Sequence, residues 1–327
     1  MLLTIIKLIN RYRHRYPKIG YLCLMENILD FTGVNAIYFH KRFLNDEQCY
    51  EYIAKAKWYN DQFKCKKCGY DKYCKGKKPY SRRCLGCKYD ESPTAGTMFD
   101  KVKFSLHLSF HIIFKICARK KGLSSIELSK EFGLRQKTCW AFKWKVQQAM
   151  KSSGNYPLTG EVHVDECLIG GAEEQKRGRN YGDKKLVIVA LEIVKDGVGR
   201  AYAEVIADAS SKSFKPFFAK YISKDATVKT DEWRGYKPLI KDYPNLVQIP
   251  SESGKGFPDM HIHIMNLKGW LRGVHHHCSN EHMQGYLDEY HFRYNRRNNE
   301  GVIFNSLIKR MVKNDTIRIK SIKQRDV

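Results

Sequence analysis

Two sets of residues in this chain have the types and spacing to do chemistry. The first is Cys65-x2-Cys68, fifteen residues, then Cys84-x2-Cys87. A CxxC turn lets two thiolates reach one tetrahedral ion, and a second such turn closes the site, which is the spacing of a four-thiolate zinc ribbon. The stretch between and around the pairs, "CKKCGYDKYCKGKKPYSRRCLGC", is rich in turn residues and poor in aliphatics. It needs a bound ion in place of a core. Cys74 lies between the knuckles as a spectator. The second set is Asp165 in "EVHVDECLIGG" and Asp231 in "ATVKTDEW", each followed by Glu. Both sit on runs rich in β-branched residues, so a sheet could bring them to one divalent ion or a pair. Two such ions clamp the attacking and leaving oxygens of a phosphodiester. On spacing alone, the bland reading stands beside this one: Asp231 caps the next helix and Asp165 ends a strand at solvent.

The segments that must carry these residues follow from periodicity. "NDEQCYEYIAKAKW" reads as a helix with an Asn45 cap, and an apolar helix is expected from about Leu106 to Ala118. A Ser-capped helix from Ser124 or Ser125 to about Glu131 ends at Gly133, and a longer one follows. That pair has helix-turn-helix proportions. Its second helix would present Arg135, Gln136, Lys137, Lys143 and Lys145 to phosphates and base edges, with Trp140, Phe142 and Trp144 packed inward. The alternative is an ordinary helical hairpin with a solvated Lys face. After the linker "SSGNYPLTG", three strand-like runs, a helix ("SKSFKPFFAKYI"), a fourth strand and then helices predict a mixed α/β sheet.

Composition narrows the partner. Lys and Arg number 59 against 34 Asp and Glu, a net charge of +25. Such an excess favours polyanions, because each neutralised phosphate releases condensed counterions. Eleven cysteines, four of them in the two CxxC pairs and the rest single, suit a reducing cytoplasm rather than a disulfide framework. The apolar start "MLLTIIKLIN" is broken by Lys7 and too short to span a bilayer, so a cytoplasmic chain with no membrane partner is expected. Residues 1–24 are expected to be a leader or an over-long reading frame.

The blocks "HVDECLIGG", "TDEWRGYKPL" and "NLKGWLRGVHHHCSNEHMQGYLDEYHFRYNRR", with the upstream CxxC pairs and "ESPTAGTMF", resemble the ISXO-type (fifteen-ninety-five family) insertion-sequence transposases over roughly Phe43 to Met311. The resemblance implies an RNase H-like domain with a DDE-type site that uses Mg2+ or Mn2+ to cleave element-end double-stranded DNA and join it to a target. It implies a homodimer or higher oligomer on the DNA. Asp165 matches the first acid and Asp231 the second. No carboxylate occupies the third position. Asn266, on the helix carrying Lys268 and Arg272, is expected there, with His261 as the alternative. Lys268 and Arg272, four apart, share a helix face that could hold a phosphate. Arg293, Arg296 and Arg297 extend a basic face. His275, His276, His277, Cys278 and His282 could form a second zinc site, but three consecutive histidines cannot all aim at one ion from a regular helix, so a loop bordering the site is expected instead. The expected organisation is multidomain: a helical segment over 25–60, a zinc ribbon over 61–92, a helix-turn-helix region over 101–152, an RNase H-like α/β domain over 158–311, and a basic tail over 312–327. The competing function is a transposase-derived DNA-binding protein with an inactive nuclease fold.

Overall fold

The computed structural model describes residues 29–170, 184–252, 255–275, 278–279 and 281–317. The proposed leader over 1–24, His276, His277 and most of the basic tail lie outside them. Among the described residues, no helix is long and apolar enough to cross a membrane.

The N-terminal part is helical: α1 (Ala36–Arg42), α2 (Asp46–Lys57), α3 (Leu106–Ala118), α4 (Ser125–Phe132) and α5 (Gln136–Met150). Local chemistry sets their ends. Asn45 caps α2 and Ser105 caps α3, each side chain accepting from the third backbone N–H of its helix. A Ser124/Glu127 capping box opens α4, and Gly133 at φ 64° closes it in the left-handed region that only glycine enters freely. The three-residue link that follows starts α5, so the hairpin forms as its residues demand.

Between α2 and α3 lies a small antiparallel sheet of β1 (Tyr73–Lys75), β2 (Arg82–Cys84) and β3 (Asp90–Glu91). Trp58 and Phe63 give it a minimal apolar footing. The Arg82 guanidinium lies over both Trp58 and Tyr73, 4.6 and 4.0 Å from the ring centroids. Lys57, whose pKa burial lowers, is paired with buried Glu91 at 2.7 Å and bonded to the Ser92 and Ala95 carbonyls.

The second half builds a five-stranded sheet in the order β6-β5-β4-β7-β8, from β4 (Glu161–Ile169), β5 (Lys185–Val194), β6 (Gly197–Ile206), β7 (Thr227–Thr230) and β8 (Leu246–Gln248). The β6-β5-β4 pairs are antiparallel and the β4-β7-β8 pairs parallel. The three strand runs and the fourth were legible from β-branched content. The short β8 was not, since three residues carry no alternation to read. Helix α6 (Ser211–Tyr221) covers one face with Phe214, Phe217 and Phe218. On the other face lie α7 (Pro258–Val274) and α8 (Met283–Tyr294), through Met260, Ile264, Leu267, Met283 and Leu287.

The last helix, α9 (Ile303–Lys313), runs on past residue 311. Its Ile303, Phe304, Leu307, Ile308 and Met311 belong to the N-terminal helical core rather than to the sheet. Phe304 stands within ring contact of Phe31, Phe39, Phe43, Phe110 and Phe114. Aromatic edges prefer such tilted neighbours, and a side chain held by five of them has no room to relax. Phe304→Ala is therefore expected to lower stability by roughly 3–5 kcal/mol, read as a drop in denaturant midpoint. A loss below about 1 kcal/mol would show that the cluster is not close-packed.

Candidate active site and metal centre

Strand β4 pairs with β7 in the register Glu161–Thr227, Val162–Val228, His163–Lys229. Two residues further along, the same register sets Asp165 beside Asp231, at the point where β7 has just ended. Side chains alternate along a strand, so Asp165 shares the face of His163 and Cys167, the face covered by α7. Asp231 is fixed by its surroundings. Its Oδ1 accepts from the Trp233 N–H at 3.1 Å, and its carbonyl accepts from Gln248 Nε2 at 2.9 Å, which ties it to β8. Gly235 is required in the turn that follows, because a Cβ there would meet the Ala209 carbonyl at 2.4 Å. The Trp233 indole N–H donates to that same oxygen at 2.7 Å.

Two supporting residues escaped the sequence reading. The Tyr236 hydroxyl, fully buried, donates to Glu166 Oε2 at 2.7 Å, and the Glu166 N–H donates to Asp165 Oδ1 at 2.8 Å. Burial raises the Tyr236 pKa well above normal, and the charges of Glu166, Asp165 and Asp231 raise it further, so all three carboxylates lie around one phenol. The only signal available beforehand was the position of Tyr236 within the "TDEWRGYKPL" block.

The third wall differs from the first expectation. Phe257 packs against His163 with ring centroids 5.3 Å apart, and the Lys268 charge opposes the burial that pushes Cys167 up to about 12. Helix α7 thus runs alongside β4 in the same direction, with its N-terminal half level with Asp165. Its buried stripe is Met260, His263, Ile264, Leu267 and Leu271. At 3.6 residues per turn, His261, Lys268 and Arg272 fall on one flank of that stripe and Asp259 and Asn266 on the other. His263 marks the second flank, since its Nε2 lies 3.1 Å from His291 Nε2 on α8. Helix α8 in turn lies along β6, through Asn295 to Ala201 and Gln284 to Val205. The strand β6 is at the far edge from β7. The flank of His261 and Lys268 therefore faces the two aspartates, while the exposed Asn266 is turned to the α8 side. The difference between the two is one of helical phase, which spacing along the chain does not reveal.

Several expected DNA contacts also have other work. Lys143 is buried, donating to the Leu123 carbonyl at 2.6 Å and pairing with Glu289 at 3.3 Å. Lys145 is buried too. Arg297 donates to the Val198, Gly199 and Tyr294 carbonyls, and Arg296 to the Phe292 carbonyl while lying over that ring. Arg293 bonds the Arg119 carbonyl and lies 3.8 Å from Glu289. These cations pin α8 to β6 and to the helical domain, and reaching a phosphate would break those bonds. Exposed Arg135, Gln136 and Lys137 remain at the start of α5, and Arg272 on α7.

The four thiols do meet. Cys65, Cys68, Cys84 and Cys87 place their sulfurs within 4.8 Å of one another, with 3.6 Å between Cys65 and Cys87 and between Cys68 and Cys84. Thiolates about 2.3 Å from a tetrahedral ion stand about 3.8 Å apart, so the donor set fits such an ion. The two knuckles repeat one hydrogen-bond pattern: Cys65 N–H to Tyr70 carbonyl and Cys84 N–H to Tyr89 carbonyl, both 2.9 Å. It is the only cluster of three or more His, Cys, Asp or Glu ligands among the described residues that could hold a metal ion. His275 does not join one; it stacks on Tyr286 at 3.8 Å.

An α/β domain that presents paired carboxylates where two parallel strands end side by side is the class defined by this geometry. Residues 157–295 match the ISXO2-like transposase domain family. No curated protein matches the chain. Among solved structures, it is similar to a pre-cleavage Mos1 transpososome at 11% identity, covering 63% of this chain and 78% of that one, with a TM-score of 0.27. It is also similar to the Mos1 strand transfer complex, at 12% identity, 62% and 76% coverage and a TM-score of 0.28. Superpositions that loose carry no inference about this chain.

The pair Lys143–Glu289 joins α5 to the sheet domain. Burial pushes the Glu289 pKa up, but Lys143, a hydrogen bond from Gln147 and Arg293 outweigh it, so it lies below the usual carboxylate value. A group depressed in the folded state stabilises above its unfolded pKa, near 4.5, and that stability is lost as pH falls below it. Glu289→Gln leaves Lys143 buried without its counter-charge. It is expected to cost about 3–5 kcal/mol at neutral pH and to flatten the acid limb of the stability profile, measured by denaturation at stepped pH. An unchanged acid limb would remove Glu289 from this role.

Proposed function

We propose that the chain is a DNA transposase that binds its element's ends and cleaves and joins strands at an RNase H-like, DDE-type site. The observation that carries this is the β4–β7 register, which brings Asp165 and Asp231 side by side inside the transposase-family domain. The strand order, three antiparallel then two parallel, supports the RNase H-like reading.

Asp165 and Asp231 offer the hard oxygen donors that Mg2+ or Mn2+ require, and they would hold that ion. The ion, when bound, supplies activation of the attacking oxygen and neutralisation of phosphate charge. The chain's own groups do the rest. Tyr236 and Gln248 hold the acidic turns rigid, which keeps the carboxylates preorganised. Lys268 and Arg272, on the flank facing the aspartates, grip the scissile strand's phosphates. His261 shares that flank and is assigned the third wall in place of Asn266; its nitrogen suits Mn2+ better than Mg2+. The exposed start of α5, with Arg135, Gln136 and Lys137, is the part of the helix pair that reaches duplex DNA. Joining two ends calls for at least a dimer. The rival reading, an inactive nuclease fold that only binds DNA, draws no support from a site in which both aspartates are present and adjacent.

In a nicking assay on element-end DNA, Asp165→Ala and Asp231→Ala are expected to abolish metal-dependent cleavage. His261→Ala should lower it at least tenfold, as for a lost transition-state contact, and Asn266→Ala should leave it near wild type. The opposite ranking of the last two would return the third position to Asn266. Wild-type binding without nicking in Mg2+ or Mn2+ would reject the enzyme.

We assign zinc to the four thiols. The purified chain is expected to carry one equivalent, and Cys68→Ser to lose it together with protease resistance over 61–92. Full resistance in a metal-free chain would mean that the ribbon's fold does not depend on the ion.

A further inference from the structure

Where α4 and α5 meet the end of α7, the described residues enclose a cavity of about 540 Å3. That lies in the range of about 300–1,000 Å3 usual for sites that take a small ligand or a single planar group. Trp140 and Trp144, one helical turn apart on α5, line it together with Tyr286, His275 and His282, beside the polar Glu127, Lys143 and Gln147. The sequence pattern suggested that the two tryptophans pack inward; they are instead half-buried and line this space.

Each wall is already stiff. His275 is stacked on Tyr286 with an interplanar angle of 19°, and Lys143 Nζ lies 3.4 Å from its Nε2. Trp140 meets His282 edge to face at 5.1 Å. Lys143 and Gln147, which also line the cavity, are held from behind by buried Glu289 at 3.3 and 2.8 Å. One polar atom has no protein partner: His282 Nδ1 is buried and makes no hydrogen bond. Aromatic side chains gathered around a cavity of this size, with an unsatisfied hydrogen-bonding atom among them, suit a flat heteroaromatic group whose rim carries donors and acceptors.

We propose that this cavity receives an unstacked nucleobase of the bound DNA. The inference rests on the reading of the chain as DNA-acting and adds to it a site separate from the aspartates. Position supports a base on the same DNA molecule. Helix α7 carries His261 level with Asp165 and reaches the cavity at Gly273, twelve residues later. At about 1.5 Å per residue that is about 18 Å, or about five base-pair steps at 3.4 Å. Such a pocket discriminates between a paired duplex and one that opens easily at that step, because extrusion costs least where pairing is weak.

The test uses the full-length chain without added Mg2+ or Mn2+, titrated by fluorescence anisotropy. One probe is an oligothymidine of about ten nucleotides, within the usual single-strand site size, and the other an abasic oligomer of equal length and charge. Wild type is expected to prefer the base-bearing probe by roughly tenfold, the scale of one base stacked on aromatic side chains. Trp140→Ala and Tyr286→Ala should each erase most of that preference while leaving the abasic affinity unchanged, and Trp140→Phe should keep most of it. Unchanged abasic affinity also shows that the variants are folded. Equal wild-type binding of the two probes, or a preference that survives both alanine variants, overturns the site. Base preference without nicking of element ends would sink the catalytic reading and leave this site standing; nicking without base preference would do the reverse.

Discussion

The parallel pairing of β4 with β7 is the constraint on which the rest depends. Parallel neighbours cannot be joined by a tight turn, so the chain between them must cross over. Here it first runs out through β5 and β6 and returns by α6, which buries three phenylalanines against the sheet. That detour separates Asp165 and Asp231 by 66 positions and still returns them to adjacent strand positions. Because side chains alternate with a period of two, a one-residue slip would send one carboxylate to the opposite face. Gln248 and Gly235 guard against slippage on the β7 side, the first by bonding the Asp231 carbonyl and the second by allowing close approach to Ala209.

Around that sheet the charge is divided by burial. A net +25 suggests a uniformly cationic surface, yet several of the most suggestive cations are consumed internally. Lys143, Arg293 and Glu289 form a buried knot where α5 crosses α8, and Arg297 ties α8 to β6 through backbone carbonyls. Buried charges persist only when paired and bonded, so these residues hold two domains in one orientation. The exposed cations left for DNA lie at the start of α5 and along one flank of α7.

The ribbon is a separate solution to a separate problem. Its residues bury little beyond Trp58 and Phe63, and its shape follows from two identical knuckles that converge four sulfurs. Its seat is set from outside, by Lys57 reaching from α2 to Glu91. The CxxC spacing made this module readable in advance, because the ligands are close in sequence and their geometry is local.

What the sequence determined by itself was everything governed by neighbours along the chain. The caps at Asn45, Ser105 and Ser124, the glycine stop at Gly133, the ribbon cysteines and the strands carrying the two aspartates were all written in short range. Four matters belonged to tertiary structure. The helical core claims α9, because Phe304 fits among five phenylalanines drawn from distant segments. Lys143 is buried, because its partner Glu289 is 146 residues away. Tyr236 orders the acidic site through Glu166, a contact across 70 positions. His261 and Asn266 fall on opposite flanks of α7, and α8 packs on the flank of Asn266. Periodicity shows that a helix has a buried stripe, but which flank meets which neighbour is decided only when the helix is laid on its sheet.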